Sequence, residues 1–116
     1  MLAEKIKVLA ATHADEFIGV RRYLHANPEL SYQEFATSQY VQERLQQEGI
    51  AFEVMATTGI VATIKGKNPD SRVMALRADM DALPIQEAND TPYRSKNDGV
   101  MHACGHDVHS SCLLGT

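Results

Sequence analysis

The run "RVMALRADM", residues 72 to 80, constrains the fold more than any other stretch. Nearly all of it is apolar, with no alternation between an oily and a wet side. A strand of this kind is expected to be covered on both faces, as the central strand of a layered α/β domain is. It ends in two acids, Asp79 and Asp81, which point the same way along an extended backbone. Burying a carboxylate is costly unless it meets a metal, a cation or hydrogen-bond donors. Acids at the end of such a strand also commonly border a crevice in α/β sheets.

The elements around this run follow from period and punctuation. Residues 2 to 26 place Leu2, Ile6, Leu9, His13, Phe17, Val20 and Leu24 at helical spacing. Pro28 disfavours helix at Asn27 and ends that segment. Ser31 and Glu34 form the pattern S-x-x-E, predicting a capping box, with Leu30 and Phe35 as a hydrophobic staple. The second helix is then expected to reach Glu48, with Gly49 at its left-handed exit. "AFEVMAT" and "GIVATIKG" read as two strands close enough for a hairpin. Asp81 to Val100 loses all periodicity, and a helix is expected from His106 or Asp107 onward. The predicted order is two helices, about three strands, a long loop and the start of a third helix, in α/β layers. The last residues, "SSCLLGT", lie inside an apolar helical turn with no closing signal, so the chain is expected to be the N-terminal part of a longer protein.

The chemistry is concentrated in "MHACGHDVHSS", residues 101 to 111. It holds three of the five histidines and one of the two cysteines. Gly105 between Cys104 and His106 lets the backbone turn, so that both side chains can aim at one point. A thiolate with an imidazole suits zinc, and manganese, iron or cobalt in a mixed site. Two ligands do not hold a catalytic ion, so more are needed. His102 and His109 are open to several roles: further ligands, supports behind a ligand, or substrate contacts. Cys112 beside Leu113 and Leu114 reads as a small buried apolar residue. His13 and His25, with no carboxylate or thiol cluster next to them in sequence, read as structural.

Bulk properties narrow the class. A length of 116 residues suits one small domain, and 44% hydrophobic with 22% charged residues is ordinary globular composition. The net charge of −4 gives no footprint for nucleic acid or an anionic membrane. The charged start is neither a signal peptide nor a membrane span. A cytoplasmic setting is the expectation, with both cysteines kept as thiols.

Three stretches in this order, "LHANPELSYQE", "LRADMDALP" and "MHACGHDVHSSCLLGT", resemble the N-terminal third of the metal-dependent aminoacylase and carboxypeptidase superfamily. The nearest branch holds hippurate hydrolase, N-acyl-amino-acid amidohydrolases and indole-acetyl-amino-acid hydrolases. The resemblance implies the first part of a three-layer catalytic domain, with a dimerisation domain and the rest of the catalytic domain outside residues 1–116. It implies one or two divalent ions (manganese, zinc or cobalt) held in part by Cys104 and His106. The superfamily has a ligand histidine where Asp79 stands, and in this branch the cysteine takes over that role. Asp81 is implied as an acid of the catalytic site that orients a ligating histidine. That histidine is expected beyond residue 116, with Asp81 meanwhile exposed or paired with Arg77. The remaining ligands and the general base, one of a pair of adjacent glutamates, are also expected downstream, and Glu87 is not one of that pair. The implied activity is hydrolysis of N-acyl amino acids or small amides by a homodimer, with this portion alone inactive. A dipeptidase, a carbamoyl-amide hydrolase or a truncated metal-binding fragment are the alternatives.

Overall fold

A computed structural model describes all 116 residues as α1 (Leu2–Ala26), α2 (Phe35–Gln47), β1 (Ala51–Met55), β2 (Gly59–Thr63) and α3 (His106–Gly115). The α/β class holds. α1 stops where Pro28 requires it, with the Asn27 N–H turned back onto the Tyr23 and Leu24 carbonyls. Its burial is confined to the last two turns, at Val20, Leu24, His25 and Ala26. Leu2, Ile6 and Leu9 of the same apolar stripe are exposed. The core therefore sits at the C-terminal end of α1, where α3 packs across it.

α2 begins four residues after Ser31, and the capping box does not form. Its cap residue is Glu34, with no capping hydrogen bond from the side chain. Glu34 is buried instead, accepting from the Tyr32 N–H at 3.0 Å and the Thr58 hydroxyl at 2.9 Å. The open amides of the first turn go to Glu29, which accepts from Ala36 N–H at 3.2 Å and from Thr37 N–H and hydroxyl at 2.6 Å each. A four-residue pattern registers only near neighbours, and here a carboxylate from the other side of the turn reaches the helix end first. The staple is not built either: Phe35 is exposed and Leu30 bridges to Ala82. The far end of α2 matches expectation, with Gly49 at φ 68°. β1 and β2 form an antiparallel hairpin with Ala51 opposite Thr63 and Val54 opposite Ile60.

The run 72–80 does not form a strand. Val73, Met74 and Leu76 are 91%, 79% and 65% exposed. A strand needs neighbours for its amides and carbonyls, and the hairpin strands pair only with each other. The apolar pattern records a demand for burial and carries no information about whether a partner is at hand. Pairing begins just past the run, where Ala82 bridges Leu30 in parallel and Leu83 exchanges two backbone bonds with Met101. The loop from Asp81 to Val100 is irregular as expected, yet tied down. Lys96 N–H bonds the Ala26 carbonyl at 2.9 Å, and the Asn97 amide bonds that of Pro28 at 3.2 Å.

Candidate metal centre

Gly105 has φ 114°, in the left-handed region that side chains other than hydrogen resist. That turn separates Cys104 from His106, the first residue of α3. His106 is half-buried, and its Nδ1 lies 2.9 Å from both the carbonyl and the Oδ1 of Asp81. Both partners can only accept, so Nδ1 carries the hydrogen. In the neutral ring Nε2 then presents its lone pair, the form in which imidazole binds a metal. Nε2 stands 3.8 Å from Asp79 Oδ2, too far for a hydrogen bond.

Asp81 therefore finds its imidazole within this chain rather than downstream. Arg77 turns to Asp79, donating from Nη2 at 2.7 Å and Nε at 3.0 Å. That guanidinium holds the Asp79 carboxyl below its ordinary range. Cys104 is exposed, with its thiol free. An exposed thiol and an imidazole with Nε2 available are donor types that suit a borderline divalent ion. No three His, Cys, Asp or Glu side chains converge on one point, so these donors make at most part of a site. His109 is exposed, its ring centroid 5.8 Å from that of His106. Cys112 is exposed, contrary to expectation. The buried side of α3 is taken by Asp107, Ser110 and Ser111, a polar set that the flanking leucines conceal in the sequence.

Behind the motif lies a network that the sequence barely signals. His25 is buried between two carboxylates, with Nδ1 2.8 Å from Asp107 Oδ2 and Nε2 3.1 Å from Glu87 Oε2. Arg21 Nε donates to the same Asp107 oxygen at 3.0 Å, and Val108 N–H donates to Oδ1 at 2.9 Å. Burial pushes the Glu87 carboxyl up, but the Ser95 N–H, His25 and the Asn89 amide outweigh it and leave it below the ordinary value. His25 is thus structural as read, but it sits among carboxylates that come from 62 and 82 residues away. The sole local hint was Asp107, next to His106. His102 is 5% exposed, and neither ring nitrogen has a partner.

Residues 75–116 match the model of Peptidase family M20/M25/M40. The chain is 51% identical to an N-acyl-L-amino acid amidohydrolase of Geobacillus stearothermophilus, over all of this chain and 31% of that protein. It is 49% identical to thermostable carboxypeptidase 2 of Saccharolobus solfataricus, over 98% of this chain and 29% of the other. A solved structure from Bacillus subtilis, described as a dinuclear metal binding peptidase from the M20 family, superposes with a TM-score of 0.85 at 44% identity. It covers 90% of this chain and 30% of that one. The chain thus spans about 30% of the length of the relatives it matches. The resemblance read from the three motifs holds.

Proposed function

We propose that this chain, which carries the signature of Peptidase family M20/M25/M40, supplies part of the metal centre of a metal-dependent amidohydrolase. Its substrate would be an N-acyl amino acid or a related small amide, cleaved to a carboxylate and an amine. The observation that carries this reading is His106, whose Nδ1 is held by Asp81 so that Nε2 is left to bind. Cys104 and His106 would hold a divalent ion, of manganese, zinc or cobalt. Such an ion, when bound, supplies Lewis acidity to the amide carbonyl and to the attacking water. Asp81 would keep the His106 ring in one orientation and one tautomer, as carboxylates behind ligating histidines do. The family resemblance assigns the proton transfer from water to a glutamate outside these residues. The same proposal includes a cytosolic setting, where Cys104 stays a thiol, and a homodimeric whole protein. A second reading, peptide rather than acyl-amide cleavage, draws support from the likeness to a carboxypeptidase; a panel of N-acyl amino acids and dipeptides separates the two.

The test is metal content and turnover in the whole protein. Cys104→Ala is expected to lose most of its bound metal. Asp81→Asn is expected to keep the fold while affinity or rate falls by roughly 10- to 100-fold. Residues 1–116 alone are expected to show no turnover. Full metal occupancy in Cys104→Ala, or turnover by residues 1–116 alone, would overturn the reading.

A further inference from the structure

We infer that His25 is a positioning residue for His106, acting through Asp107; this rests on His106 being a metal ligand. The two residues are successive on the first turn of α3, so their side chains leave the helix about 100° apart. Asp81 grips the first of them, and His25 with Arg21 grips the second. Two grips at that angle fix the rotation of α3 about its own axis. A side-chain tip roughly 5 Å from a helix axis moves about 1 Å for each 10° of rotation. Metal–ligand distances tolerate only about 0.2 Å. A single grip at His106 leaves the ring able to follow Asp81 wherever the helix rolls; the second grip removes that freedom.

The surroundings of His25 support direction over stability as its contribution. Asp107 is 1% exposed and receives hydrogen bonds from three groups, on α1 and on α3 itself. Glu87, on the irregular loop, holds the far nitrogen of the His25 ring and is itself held by the Ser95 N–H at 2.6 Å and the Asn89 amide at 3.2 Å. A flip of the ring would give up both contacts. Buried ion pairs are weak stabilisers, because the loss of hydration offsets their attraction. Their geometry, by contrast, is specific.

Two substitutions separate the two ring nitrogens. The amide nitrogen of asparagine falls where Nδ1 of histidine does, and that of glutamine where Nε2 does. His25→Asn keeps a donor for Asp107, whereas His25→Gln keeps one for Glu87 and withdraws it from Asp107. Each stranded carboxylate retains other donors, and helical circular dichroism checks the fold. In the metal-free chain labelled with 15N-histidine, His25→Asn is expected to leave the His106 ring in one tautomer with a slowly exchanging Nδ1 proton. His25→Gln is expected to average the two ring nitrogens and speed amide exchange in the first turn of α3 at least about tenfold. In the cobalt-loaded whole protein, His25→Gln is expected to bind cobalt roughly 10- to 100-fold more weakly than His25→Asn. Identical spectra from the two variants, whether both normal or both disturbed, would overturn the positioning role. Unchanged cobalt affinity in Cys104→Ala would instead sink the metal reading, and the ring spectra, taken without metal, still decide the role of His25.

Discussion

His102 is a buried imidazole with nothing to bond to, and such a group resists protonation. Burial pushes its pKa below the ordinary 6.5, with Asp107 opposing and His25 and His106 reinforcing. The unfolded chain therefore binds more protons than the folded one just below pH 6.5, and stability falls as pH drops through that window. Glu87 adds a second loss at lower pH. Its folded-state pKa lies below the ordinary 4.5, so its contribution is complete above that value and disappears as pH falls through the depressed one. His102→Phe keeps a ring and removes the nitrogens. Urea midpoints at pH 7.5 and 5.5 are expected to differ less in that variant than in wild type, and an equal difference in both would rule His102 out as the source. The sequence singled out Cys104, His106 and Asp81 because their motifs are short and rich in chemistry, and the structure joins His106 to Asp81. The junction of His25 with Glu87 and Asp107 was not legible, because it joins residues 62 and 82 positions apart, beyond the reach of any local pattern.

Among the elements, helix ends written in backbone constraints were legible: Pro28 after α1, Gly49 after α2, Gly105 before α3. Features that depend on which side chain arrives first were not. Glu29 rather than Ser31 caps α2, so Glu29→Ala is expected to cost about 1 kcal/mol in urea unfolding. Ser31→Ala, at an exposed site, is expected to stay within about 0.5 kcal/mol of wild type. A reversed order would restore the capping box. The missing third strand follows the same division. Apolar residues at 73, 74 and 76 state that cover is wanted, while the hydrogen-bonding partner that makes a strand lies outside the run and leaves no mark on it.

Over the whole molecule the core is thin. The radius of gyration is 15.5 Å, against about 13 Å for a compact domain of this length, and 18 of 116 residues are buried. Most of the order at the centre comes from bonds that join distant parts of the chain. His25 must find Asp107 across 82 residues, whereas β1 finds β2 across a tight turn. Closing the longer loop costs on the order of 3 kcal/mol more in chain entropy than closing the hairpin. The helices and hairpin are therefore expected to form early and the His25–Asp107 junction late. In stopped-flow kinetics His25→Gln is expected to accelerate unfolding and leave the folding rate nearly unchanged; slower folding instead would put the junction in the nucleus. By the same reasoning the rotation of α3, and with it the direction of the His106 ring, is expected to be the last feature of the chain to be fixed.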